Sequence, residues 1–198
     1  RMITAVVEKW GRLDILVNNA RAGVRSRGLE DSEENWDLAL SVGLRAAYFA
    51  SQQAIPVMAS QGGGSIVNIS TVSAFLVSLE SAAYHVAKAG LVQLTKFLAA
   101  NVGSRNVRVN SVLPGFIVQD EYQKKYLDPN NNAYRARAES CHPLKKVGSA
   151  SDVAESTLFL CSESAKFITG QTLIVDGGFT IQDSWTVMAE TIDHSEGE

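Results

Sequence analysis

Apolar and polar positions along the chain keep changing period. Ile3–Trp10 spaces its apolar residues as the end of a helix does, and Gly11 supplies a C-terminal stop. "LDILV" at 13–17 is a short apolar run of the kind that forms a buried strand. The segment from Ser32, a candidate N-cap followed by Glu33 and Glu34, then holds helical periodicity as far as "QGGG" at 61–64. "SIVNI" at 65–69 reads as a second strand, 82–102 as a long helix, and "VRVNSVL" at 107–113 as a third strand ended by Pro114 and Gly115. The stretch 119–150, with "DPNNN" at its middle, reads as a polar, loop-rich section. Ser149 or Ser151 then caps a helix running to about Cys161, and "QTLIV" at 171–175 closes the series.

Four apolar strands separated by helical crossovers predict an α/β fold. Parallel strands need long right-handed connections, so the sheet is expected to be parallel with helices on both faces. Ligands in such sheets bind beyond the carboxyl ends of the strands. Here those ends carry "NNARAG", "STVS", "PGFIVQ" and "DGG", loops rich in Asn, Ser, Thr and Gly. One domain over 1–182 and an acid-rich tail over 183–198, partly disordered, are the expected division.

Composition narrows the function by exclusion. A chain of 198 residues with 45% hydrophobic residues and a net charge of −3 gives no electrostatic case for nucleic acid or a membrane surface. The longest apolar helix candidate, Trp36–Ala59, is interrupted by Asp37, Arg45, Gln52 and Gln53, so no membrane span is expected. Cys141 and Cys161 are too few to staple the fold, and His85, His142 and His194 show no metal-ligand spacing. A reducing, cytoplasmic setting is the expectation.

"SAAYHVAKAGL" at 81–91 carries the candidate chemistry. Tyr84 and Lys88 stand four residues apart and so share one helix face. An ammonium about 4 Å from a phenol is worth roughly 4 kcal/mol at an effective dielectric near 20, or about three pKa units. On that spacing the phenol is expected to become acidic enough to exchange a proton with a carbonyl or alcohol oxygen. The bland alternative is a core tyrosine beside a solvated lysine. His85 is rotated about 100° around the helix from Tyr84 and is read as a surface or packing residue.

Taken together, "NNA" at 18–20, Tyr84-x-x-x-Lys88, "VRVNSVLPG" at 107–115 and "ITGQTLIVDGG" at 168–178 resemble the short-chain dehydrogenase/reductase family across nearly the whole chain. The resemblance implies a Rossmann-like, doubly wound parallel sheet and hydride transfer between NAD or NADP and a small carbonyl or alcohol substrate. It assigns Tyr84 the proton and Lys88 the nicotinamide ribose hydroxyls. Thr71, 13 residues before Tyr84 where the family has serine, would fix the substrate oxygen, with Ser70 and Ser73 as stand-ins or as groups that satisfy the loop backbone. It also implies that Asn18, Ala20, Pro114, Gly115 and Ile117 border the cofactor, Asn18 supporting the strand end and Ile117 offering its backbone to the carboxamide. Gln119 stands where a threonine is common, while Asn110 and the glycines of 176–178 are read as structural. Family members commonly assemble through their two long helices, so a homo-oligomer is expected.

Two further positions depart from the family pattern. Gly43 stands where the family has an asparagine midway along a helix, and it either removes a side-chain anchor for a relay water or allows close helix packing. Arg21 stands where the family has glycine, either reaching a phosphate or, on the safer reading, pointing to water. The family's glycine-rich first βαβ half, with its phosphate cradle, has no counterpart in these residues. An oxidoreductase whose first half lies upstream, an inactive truncated copy, and an interaction module are the readings open from sequence.

Overall fold

The computed structural model describes residues 1–23 and 26–193. The elements in chain order are α1 (Met2–Trp10), β1 (Ile15–Asn18), α2 (Glu33–Leu40), a π turn (Ser41–Arg45), α3 (Ala46–Ser60), β2 (Gly64–Ile69), α4 (Ala82–Val102), β3 (Val107–Pro114), β4 (Ile117–Val118), α5 (Asp120–Tyr126), α6 (Asn132–Ser140), β5 (Gly148–Ser149), α7 (Ala150–Cys161), β6 (Thr172–Val175) and α8 (Ser184–Asp193). The main sheet runs β1-β2-β3-β6. Its β1–β2 and β2–β3 pairs are parallel, with Asn18 opposite Asn68 and Asn68 opposite Ser111. The four apolar runs are therefore the strands that sequence periodicity predicts.

Backbone contacts divide the chain into two compact units. The first takes Arg1–Leu113 and Thr157–Leu173, the second Pro114–Ser156 and the chain from Ile174 onward. In the first, Leu16 of β1, Ile66 of β2 and Val109 of β3 form one buried cluster with Ile3 of α1, Ala54, Ile55 and Met58 of α3, and Leu98, Ala99 and Val102 of α4. Ile66 and Val109 are fully enclosed, consistent with strands covered by helices. β1 differs: Leu16 is buried while Ile15 and Val17 remain 45% and 42% exposed.

Local signals explain where the helices start. Ser32 caps α2, its hydroxyl accepting from the Asn35 amide at 3.2 Å, and Ser81 caps α4 by accepting from the Tyr84 amide at 3.3 Å. The expected helix from Ser32 to residue 60 runs through, with a π turn inside it in which the Ala46 amide reaches back to the Ser41 carbonyl.

The expectation of a loop-rich 119–150 is corrected. Two helices, α5 and α6, occupy it. Both bury no residue, so they lack the apolar stripe by which a helix is recognised. α5 has a different signature, with Asp120 and Glu121 in its first turn and Lys124 and Lys125 in its last, a charge order that suits the helix dipole. The second unit also holds a short parallel pairing, Ile117 opposite Gly148, and a buried His142 whose ring lies 5.3 Å from that of Phe179, tilted by 34°. Of the tail expected to be partly disordered, Ser184–Asp193 is helical; 194–198, including His194, lie outside the described residues. No helix among the described residues is long and apolar enough to cross a membrane.

Candidate active site

The site grows from the junction of β2 and α4. β2 ends at Ile69, and Ser70 follows with its buried hydroxyl donating to the Lys88 carbonyl at 2.8 Å. Lys88, 5% exposed, sends its ammonium back to the Ile69 carbonyl, also at 2.8 Å. Strand end and helix are thus stitched twice, once through backbone carbonyl and once through side chain.

Tyr84 lies one helical turn before Lys88, and the Thr71 hydroxyl hydrogen-bonds its phenol. Thr71 also accepts from the Ser73 amide at 3.3 Å, which sets its rotamer at the start of the turn after β2. Three candidates from two stretches of sequence, Thr71 after β2 and Tyr84 and Lys88 on α4, therefore gather at this junction. Ser70 and Ser73 do local work, Ser73 bonding to the Ser78 hydroxyl at 3.3 Å. His85 staples the turn before α4: Nδ1 donates to the Ser81 carbonyl at 2.7 Å, and Nε2 accepts from the Ser78 amide at 3.0 Å.

The electrostatics correct one expectation. Lys88 lies 6.0 Å from the centre of the Tyr84 ring and gives its ammonium to the Ile69 carbonyl, and the phenol is not made acidic as the spacing suggested. Burial is the largest influence on Tyr84 and pushes its pKa up, with Glu80 adding to the rise; Arg21 and the Thr71 hydrogen bond oppose it. Burial, with help from Arg21, brings Lys88 down from 10.5 to about 8.

Arg21 corrects a second expectation. It does not point away into water. Its guanidinium lies 4.8 Å over the Tyr84 ring and pairs with Glu80 at 2.9 Å. Asp31 is a further residue that sequence reasoning missed. Its carboxylate accepts from the Ser26 hydroxyl and from the Ala83 amide at 3.0 Å, the latter bond crossing 52 residues of sequence and leaving no local signal. Arg21, Asp31, Gly43, Glu80, Tyr84 and Lys88 line one recess.

Gly43 is buried in the π turn, and a Cβ there would meet the Ala87 Cβ at 3.2 Å. Close approach of the π turn to α4 is thus a use of this glycine. Asn18 is engaged in the sheet, donating to Asn68 at 2.8 Å and to Ser51 at 3.3 Å, and Asn68 continues to Thr95 at 2.9 Å. Ala20 is exposed beyond the strand end. Pro114, Gly115 and Ile117 belong to the second unit, where the Gly115 amide donates to the Val175 carbonyl at 3.0 Å and Ile117 pairs with β5. Gly115 admits no side chain, since a Cβ would stand 2.5 Å from that of Asp176. No cluster of metal-ligating side chains occurs among the described residues.

A nicotinamide cofactor can be tested against Lys88. The ammonium has three N–H donors and gives one to Ile69. Two remain for a pair of acceptor hydroxyls at the recess, which fits a ribose.

With that geometry in place, known proteins can be compared. The family model described as enoyl-(acyl carrier protein) reductase matches residues 1–180. A probable galactose dehydrogenase of Rhizobium meliloti is 42% identical over 172 residues, covering 87% of this chain and 66% of that protein. A 7alpha-hydroxysteroid dehydrogenase of Bacteroides fragilis is 34% identical over 194 residues, covering 92% and 70%. The ligand-free structure of Thermoplasma acidophilum aldohexose dehydrogenase superposes with a TM-score of 0.83 at 32% identity, over 92% of this chain and 74% of that one. The chain thus spans about two thirds of the length of the curated relatives it matches. The matched model, these relatives and the converging Thr71, Tyr84 and Lys88 identify the chain as a member of the short-chain dehydrogenase/reductase family.

Proposed function

We propose that the protein is an NAD- or NADP-dependent oxidoreductase that interconverts a carbonyl and an alcohol, with Tyr84 as the proton donor and acceptor. The observation that carries this reading is the convergence of Tyr84 with the Thr71 hydroxyl and with the buried ammonium of Lys88. The cofactor, when bound, supplies or receives the hydride. Lys88 would hold its ribose hydroxyls with the two donors that Ile69 leaves over. Thr71 orients the reacting oxygen, and the Tyr84 hydroxyl gives it a proton in reduction or takes one in oxidation. Asn18 supports this arrangement by holding β1 to β2, while Ala20, Pro114, Gly115 and Ile117 are proposed to border the cofactor through backbone groups.

The named relatives act on a sugar and a steroid, which share little beyond the carbonyl–alcohol change. The proposal stops at that change. A cytoplasmic setting is consistent with Cys141 and Cys161 as free thiols. Self-association through α3 and α4 is supported by the exposure of Phe49, Val86 and Phe97 on those helices.

Replacing Tyr84 with Phe tests the function. Turnover, followed by NADH or NADPH absorbance against a carbonyl panel, is expected to fall by about 10²- to 10⁴-fold. Binding of NADH or NADPH, followed by fluorescence, is expected to persist. Turnover equal to that of the unaltered protein would refute the assignment.

A further inference from the structure

We propose that Arg21 is a positioning residue of the site: held over the phenol ring by Glu80, its guanidinium keeps a permanent positive charge against the Tyr84–Lys88 pair and sets how many protons the pair carries. The family's glycine at this position has no side chain to do so.

The geometry supplies the argument. The guanidinium lies 4.8 Å from the ring centre and 2.9 Å from the Glu80 carboxylate. A guanidinium stacks on an aromatic face more readily than an ammonium because it is planar and weakly hydrated, and it stays charged across the accessible pH range. The Lys88 ammonium is bonded to the Ile69 carbonyl and lies 6.0 Å from the ring centre, so of the two cations Arg21 is the nearer to the ring face. Its field favours the deprotonated form of both groups, and it opposes the rise that burial causes in Tyr84 and reinforces the fall in Lys88.

The other charged groups at the recess have their own engagements. Asp31 is held by the Ala83 amide and the Ser26 hydroxyl, and Glu80 pairs with Arg21 while its charge acts on Tyr84 in the opposite sense. His85 is turned to Ser78 and Ser81. From α2 and the π turn the recess receives Asn35, Ala39 and Gly43, none of them charged. From the end of β2 it receives the Ile69 carbonyl through Lys88 and the Thr71 hydroxyl through Tyr84.

The test reads the proton directly, on this chain, without cofactor or substrate. The Lys88 midpoint, about 8, is followed by NMR of ¹³Cε-lysine, its resonance identified by loss in Lys88→Arg. Arg21 and Glu80 are about one third exposed, so solvent screens the effect. Arg21→Met is expected to raise the midpoint by about half to one pH unit, a three- to tenfold gain in proton affinity. Arg21→Lys, which keeps the charge, is expected to restore most of the difference. An unchanged midpoint in Arg21→Met, or an equal rise in Arg21→Met and Arg21→Lys, would overturn the proposal. The meaning of Arg21 for turnover rests on the oxidoreductase reading, but the midpoint does not, so failure here and failure of the Tyr84→Phe test are separable.

Discussion

Lys88 donates its ammonium to the carbonyl of Ile69 at 2.8 Å, nineteen residues earlier in the chain. The bond answers a buried acceptor at the end of β2 with a buried donor on α4, and it orients the lysine toward the strand end.

That buried lysine should leave a pH signature on stability. Its folded pKa of about 8 lies below the ordinary 10.5, so the unfolded chain binds more protons between those values. The contribution of Lys88 to stability therefore rises as pH climbs from about 8 to about 10.5, by about 3 kcal/mol at full effect. Comparing urea unfolding of the protein with Lys88→Met at pH 7 and pH 10 checks this: the difference between the two should shift in favour of the unaltered protein at the higher pH. A difference independent of pH would contradict it.

Gly43 and Ala87 should be energetically coupled. Gly43→Asn places a Cβ 3.2 Å from the Ala87 methyl, and Ala87→Gly removes that neighbour. Although each single change carries its own cost, the double variant is expected to be more stable than their sum by about 0.5–1 kcal/mol. Thermal unfolding of all four proteins gives the coupling; simple additivity would show that the contact has no weight.

Gly115→Ala should be strongly destabilising. The added Cβ would stand 2.5 Å from Asp176 Cβ and 2.9 Å from its Cα, so backbone and not a side-chain tip must yield. A loss of about 2 kcal/mol or more is expected in denaturant unfolding. A cost below about 0.5 kcal/mol would mean that the turn after β3 relaxes freely.

Asn68→Ala removes the centre of a chain of side chains linking Asn18, Asn68 and Thr95, and Asn68 is fully buried. Losing both bonds and leaving a cavity should cost about 3 kcal/mol. Asn18→Ala, at the more exposed end, should cost less. The order of the two midpoints in urea is the measurement, and a reversed order would contradict the network.

Sequence reading recovered what is encoded locally. Thr71, just after the apolar run of β2, was named through the family resemblance, whereas Tyr84 and Lys88 share a helix face and could be named from spacing. Arg21 and Asp31 could not: their partners Glu80 and Ala83 lie 59 and 52 residues away, and no periodicity links such positions. The polar helices α5 and α6 were missed because hydrophobic pattern is silent on an element that buries nothing. The phenol's acidity was misjudged because helical spacing says nothing of burial, which is the largest influence on Tyr84.

The widened turn at Ser41–Arg45 has a consequence for how this helix could change length. α2 buries no residue, whereas α3 buries Ala47, Ser51, Ala54, Ile55 and Met58 on one stripe. One residue more than a regular turn is stored between them, the Ala46 amide reaching the carbonyl five positions back. Losing a single residue inside 41–45 would tighten that turn into ordinary α-helix and spare the stripe. The same loss near Ser51 would swing every later side chain by about 100° and empty the core beneath β2.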